Sequence, residues 1–135
     1  MLSAVPLPPT NLAASEVTSD SVALTWTSDN TKLINYYIIQ FKCNYASEYS
    51  NVNDYDVQTT TYNVSFLQCN KVYEFRIIAV SDNGQSQPST SIFVTTPKGK
   101  LLRLANCNRR VCLHIVRILQ ISNFGKIVVM KTAES

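Results

Sequence analysis

Few side chains in this 135-residue chain could carry chemistry. The single histidine, His114, follows Cys107 and Cys112 in a Cys-x4-Cys-x-His run. Three soft ligands at that spacing do not match a zinc finger, and no fourth ligand is evident, so no metal site is expected. The first 97 residues contain no histidine, which leaves no Ser/His or Cys/His couple for nucleophilic catalysis there. No glycine-rich loop suited to phosphate occurs, and only three glycines are present. The expectation is a non-enzyme with no catalytic residue, no cofactor and no metal. Modification and recognition remain. Asn63-Val64-Ser65 is the one N-glycosylation sequon, set against an ordinary exposed asparagine. Tyr45, Tyr49 and Tyr55 alternate with Glu48, Asp54 and Asp56, which reads either as a recognition surface or as a decorated, solvated loop.

The elements that must hold these residues divide in two. Residues 1–97 carry four Lys or Arg against eight Asp or Glu, a net of −4. Residues 98–135 carry eight against one, a net of +7. So sharp an asymmetry marks segments of different character, and no nucleic-acid partner is expected of the chain. The start, MLSAVPLPPTN, lacks the basic and long apolar regions of a signal peptide. No apolar run reaches the roughly 18 residues of a membrane span. The nearest, 101–121, is interrupted by Arg103, Arg109, Arg110, His114 and Arg117. The chain itself thus shows neither leader nor anchor, and reads as a piece whose leader and anchor could lie elsewhere in a longer protein.

Period-2 alternation supplies the strands. Asn11–Val17 is a short first strand, with Leu12 and Ala14 on one side. In Ser21–Thr27, Val22, Leu24 and Trp26 face inward. In Leu33–Lys42, Tyr37, Ile39 and Phe41 share a face. Cys43–Asn53 is expected to be loop, and Asp54–Gln58 a short edge strand. Thr61–Phe66 places Tyr62, Val64 and Phe66 inward. The stretch Leu67–Val80 is the clearest: Tyr73, Phe75, Ile77 and Ala79 alternate with Glu74, Arg76 and Ile78. Ser81–Gln87 is a turn loop around Asn83-Gly84, and Pro88–Thr96 a last strand. Seven short strands with turn signals between them imply an all-β, antiparallel immunoglobulin-like sandwich.

These pieces resemble a fibronectin type III domain over about residues 6–97. The resemblance rests on Pro8-Pro9, Trp26, Tyr37-x-Ile39-x-Phe41, Leu67 with Tyr73, Phe75-x-Ile77-x-Ala79-Val80, and Gly84-x-Ser86-x-Pro88-Ser89 leading to Val94-Thr95-Thr96-Pro97. The run PPTNLAASEVTSDSVALTW with YYIIQF is most like the first such repeat of a LAR-type receptor tyrosine phosphatase. The resemblance implies a structural core of Trp26, Tyr37, Ile39, Leu67, Tyr73, Phe75 and Ile77, with Tyr73 as a tyrosine corner. It also places Cys43 and Cys69 at one pole. A disulfide there would close a loop of about 25 residues and contribute about 3 kcal/mol, against two free thiols too far apart. Where the family carries a turn after the leucine, this chain has Gln68-Cys69-Asn70. Where some repeats present Arg-Gly-Asp, it has Asp82-Asn83-Gly84, so that integrin-binding activity is not carried over.

Three segments follow: a lead-in over residues 1–5, the domain over 6–97, and a basic extension over 98–135. In the extension, Val111, Cys112, Ile115, Val116, Ile118 and Leu119 form one stripe of a helix. Arg109, Arg110 and Arg117 could then touch an anionic membrane or a partner. The other readings of the extension are a segment without evolved structure, which is favoured over membrane contact, and an irregular extension packed on the sandwich. The implied function is a non-catalytic protein-binding or spacer module of a cell-surface adhesion or signalling receptor, a glycoprotein in its extracellular part. Its protein partners would meet loops or sheet edges. One alternative is a fragment or splice form of a receptor tyrosine phosphatase that lacks the catalytic part. The other is a repeat of an intracellular structural protein.

Overall fold

The computed structural model describes residues 4–29, 31–53 and 55–99. Arg109, Arg110, Arg117, the Cys107–Cys112–His114 group and the expected helix lie outside the described residues. Eight strands run in chain order: β1 (Thr10–Val17), β2 (Val22–Thr27), β3 (Tyr36–Cys43), β4 (Ser50–Asn51), β5 (Thr61–Val64), β6 (Val72–Ser81), β7 (Gly84–Gln85) and β8 (Ile92–Thr95). They build two antiparallel sheets, β1-β2-β5 and β4-β3-β6-β7, with β8 also paired to β6. This is the expected all-β sandwich.

Alternation does what it promises where both neighbours are paired. β3 and β6 run side by side from Tyr36↔Val80 to Cys43↔Tyr73. Their inward residues Tyr37, Ile39, Phe41, Tyr73, Phe75, Ile77 and Ala79 are all buried. Val22, Leu24, Trp26 and Val64 meet them from the other sheet, with Leu67 in the same cluster. Trp26 stands edge-on to Tyr37 at 5.4 Å between ring centroids, the geometry that ring quadrupoles favour. Trp26, Tyr37, Ile39, Leu67, Tyr73, Phe75 and Ile77 lie in one cluster of buried residues.

Tyr73 closes the crossing between sheets. Its hydroxyl accepts the Gln68 amide at 2.9 Å. Burial pushes that hydroxyl above the ordinary phenol range, and the Gln68 N–H opposes the shift. Around this corner the turn former is Asn70, which takes a positive φ of 55°, a conformation that asparagine tolerates better than most residues.

The structure corrects five details. Phe66 was expected to face inward, but it is 55% exposed. It adopts φ 64°, which ends the alternation at Val64, and Leu67 N–H then donates to Asp20 O. Leu33 is not in β3; it sits in a single 3-10 turn, Thr31–Leu33. The stretch expected to be loop, 43–53, begins with Cys43 still inside β3 and contains β4. Among the described residues of the edge strand expected over Asp54–Gln58, pairing reduces to one bridge, Val57 to Tyr37. Asn53 explains why: its buried side chain accepts from Ile39 N–H and donates to Tyr37 O and Tyr55 O, so a side chain occupies the edge of β3 where a strand would pair. Finally, the last strand, expected over Pro88–Thr96, is shortened to Ile92–Thr95, and Gly84–Gln85 inside the expected turn loop pairs with β6. Pro88 has no N–H to give, and the Ser86 and Ser89 hydroxyls accept the Ala79 and Ile77 amides on either side of it.

Candidate protein-binding face

The sandwich leaves two outward faces, and they differ. On β1-β2-β5 the outward rows are Glu16–Ala23–Asn63 and Ala13–Thr25–Thr61. These side chains are small, and Glu16 is the one charge in those three strands.

On the other face, strand register brings four polar side chains together. Gln40 lies opposite Arg76, and Lys42 opposite Glu74. Lys42 Nζ stands 3.3 Å from Glu74 Oε2. Ser91, ahead of β8, donates to Glu74 Oε1 at 2.7 Å. Arg76 Nε donates to Gln40 Oε1 at 2.8 Å, and Gln40 Nε2 donates to Asn51 Oδ1 of β4 at 3.0 Å. Tyr49 closes over the group: its ring centroid lies 3.6 Å from Arg76 Cζ and 4.8 Å from Lys42 Nζ. Both cations thus face the negative surface of one ring.

The electrostatics agree with the geometry. Hydrogen bonds from Tyr49 first, then Ser91, together with Lys42, hold the Glu74 carboxyl below its ordinary value. Burial, then the bond to Glu74, pushes the Tyr49 hydroxyl up. Each group is positioned by at least one neighbour, so the cluster is preorganised. It contains no nucleophile–base pair; what it offers is a flat ring, a guanidinium edge and paired charges.

The three loop tyrosines do not form one surface. Tyr45 covers Lys71 Nζ at 5.3 Å. Tyr55 packs on Tyr62, with their hydroxyls 3.2 Å apart. Only Tyr49 joins the polar cluster. Alternation already marks Gln40, Lys42, Glu74 and Arg76 as outward, and pairing β3 with β6 sets Lys42 against Glu74. Nothing local in the sequence shows that Tyr49 folds back over them.

Asn63 is exposed on β5. Cys43 and Cys69 are 1% and 5% exposed, and both are disulfide-bonded. Among the described residues no group of three or more His, Cys, Asp or Glu could hold a metal ion, and no helix is long and apolar enough to cross a membrane.

The family model described as "Fibronectin type III domain" matches residues 7–95. The chain is 39% identical over 94 residues to "Receptor-type tyrosine-protein phosphatase F" of Danio rerio, across 69% of this chain and 5% of that protein. It is 33% identical over 94 residues to "Titin homolog" of Caenorhabditis elegans, across 67% of this chain. Among solved structures it is similar to the FN5 domain of Drosophila Lar, with TM-score 0.58 and 28% identity, covering 70% of this chain and all of that one. The chain spans about one-twentieth of the receptor phosphatase it matches.

Proposed function

This chain belongs to the fibronectin type III family, and from that premise we propose that it is a non-catalytic protein-binding module of the extracellular part of a cell-surface adhesion or signalling receptor. Binding is through the β3–β6–β8 face. The observation that carries this reading is the cluster of Tyr49 over Arg76 and Lys42, braced by Glu74, Gln40 and Ser91. Tyr and Arg are the side chains that interfaces favour and that dominate binding energy. Their mutual contacts fix rotamers before a partner arrives, which lowers the ordering cost of association. Catalysis in any longer parent would belong to other segments, as the phosphatase name of the receptor relative implies.

The oxidised state of Cys43 and Cys69 supports the extracellular compartment. We further propose that they bond to each other. Peptide mapping of non-reduced secreted chain tests this: a linked pair of peptides carrying Cys43 and Cys69 is expected, and free thiols at both would remove the support.

The likeness to the titin homologue favours a second reading, a repeat of an intracellular structural protein. Reduced Cys43 and Cys69 in the native tissue would decide for it.

The binding experiment is a surface-plasmon-resonance screen of the immobilised chain against receptor ectodomains and secreted ligands. At least one binder is expected, weakened about 30-fold or more by Arg76→Ala, the size of an interface hot spot. A binder indifferent to Arg76→Ala and Tyr49→Ala would move the interface elsewhere. No binder would leave the domain as a spacer.

A further inference from the structure

We propose that Asn63 accepts an N-linked glycan, and that the glycan covers the outward face of β1-β2-β5, leaving the β3–β6–β8 face as the side open to protein partners. The proposal rests on the extracellular reading, because the glycan donor, a polyprenyl-diphosphate oligosaccharide, is met in the secretory pathway.

The placement carries it. Asn63-Val64-Ser65 is the one sequon in the chain. Val64 is fully buried, and its neighbour Asn63 therefore points to solvent, where it is exposed. No hydrogen bond or ion pair to a described residue holds the Asn63 amide. Ser65 lies just past the end of β5 and is half-buried. Across the sheet from Asn63 stand Ala23 and then Glu16; the adjacent row is Thr61, Thr25 and Ala13. No bulky side chain rises between Asn63 and this surface, so the first sugars can lie along it. The face also lacks the aromatic and arginine anchors that an interface needs.

Edge protection gives the glycan a physical role. β5 ends its sheet, and among the described residues no strand pairs with its far side. An exposed strand edge is a template for pairing with another chain. A bulky, hydrated group on that strand obstructs such pairing without any cost to the core.

In the modification, Asn63 Nδ2 forms a bond to the anomeric carbon of N-acetylglucosamine. The bond from that carbon to the lipid diphosphate breaks, and the diphosphate leaves with the electron pair. Nδ2 gives up one proton.

The full chain is expressed in animal cells behind a secretion signal. Intact mass is read on the secreted pool and on the pool retained in the endoplasmic reticulum. The expected result is an increment of one glycan on most molecules. Removal by peptide-N-glycosidase in heavy-oxygen water should convert Asn63 to labelled aspartate. Asn63→Gln and Ser65→Ala should abolish the increment, and Ser65→Thr should keep it. Folded, disulfide-closed chain with Asn63 unmodified in both pools overturns the proposal. Masking is read separately by hydroxyl-radical footprinting. Labelling at Glu16 and Thr61 should fall in the glycosylated chain relative to Asn63→Gln, with Tyr49 unchanged; equal labelling overturns the masking. Asn63→Gln should bind partners as the unaltered chain does, so failure here leaves the binding reading standing, and the converse holds too.

Discussion

The two sheets share one interior and present opposite exteriors. Inward, β2 and β5 offer Val22, Leu24, Trp26 and Val64, while β3 and β6 offer Tyr37, Ile39, Phe41, Phe75 and Ile77, and all of these are buried. Outward, β1-β2-β5 shows small side chains and one carboxylate, whereas β3–β6 shows an interlocked set of ion pair, amide and aromatic contacts. The difference teaches where selection for folding ends. Inner faces are equivalent because packing density and apolar burial constrain both alike. Outer faces are free to diverge, and the energy spent on ordering Tyr49, Arg76 and Glu74 has no counterpart on the plain side.

The largest test concerns the shared interior. Leu24→Ala and Phe75→Ala, one from each sheet, should each lower unfolding free energy by about 2–5 kcal/mol, read by urea denaturation of the full chain. Equivalent inner faces require both to be costly. If either mutation costs less than about 1 kcal/mol, one sheet is packed loosely and the equivalence fails.

The edges come next. The free side of β3 is closed by Asn53, whose side chain serves Ile39 N–H and two carbonyls. Asn53→Ala leaves those buried backbone groups without partners and should cost about 1–3 kcal/mol. At β5 the counterpart is one exposed bond, from Thr59 Oγ1 to Thr61 O at 2.9 Å; Thr61→Ala keeps that carbonyl and is an exposed change, so it should stay within about 0.5 kcal/mol. Equal costs would mean that the two edges are held alike.

These elements also show how much the sequence could reveal. The core was legible because β3 and β6 are long and buried on their inner face, so that alternation and burial coincide from Tyr37 to Phe41 and from Tyr73 to Ala79. The same rule was stopped one residue too early at Cys43, which continues the inward series of β3. It was carried too far at Phe66, because no periodicity signals a positive φ on an aromatic residue. β4 and Asn53 escaped notice for a different reason: two paired residues and one side chain replace what would otherwise be a strand, and their cause is tertiary. The plain face could be read directly from its Ala and Thr residues. Half of the proposed binding face was readable from the outward series, and the other half, Tyr49, depends on a loop returning across the sheet.

The crossing from one sheet to the other is the third test. Phe66 joins β5 to the corner with φ 64°. A left-handed conformation costs a residue bearing Cβ about 1–2 kcal/mol. Phe66→Gly relieves that cost, while glycine's greater unfolded-state freedom takes back about 0.5–1 kcal/mol. Since Phe66 is more than half exposed, little burial is lost. A net gain of up to about 1 kcal/mol in thermal or urea unfolding is expected. A loss above about 1 kcal/mol would show that the Phe66 ring packs usefully, and the crossing would then belong to the core rather than to the surface.

The smallest effect is the most discriminating, because it sets one carboxylate of each face against the other. The folded Glu74 carboxyl lies below its ordinary value, through Tyr49, Ser91 and Lys42. A depressed carboxyl adds stability above its unfolded pKa, and that stability is lost as pH falls through the folded pKa. Glu74→Gln should therefore be less stable than the unaltered chain near neutral pH, by up to about 1 kcal/mol for a pair at the surface whose side chains stay partly solvated. The gap should close in acid, below both values. Glu16 has no hydrogen bond or ion pair among the described residues, and Glu16→Gln should shift neutral-pH stability by no more than about 0.5 kcal/mol. Unfolding titrations of both variants from neutral to acid pH separate the cases. A Glu74→Gln gap that persists in acid would mean that shape and hydrogen bonding, rather than charge, order this face. The Tyr49–Arg76 contact would then have to stand without electrostatic help from the carboxylate beside it.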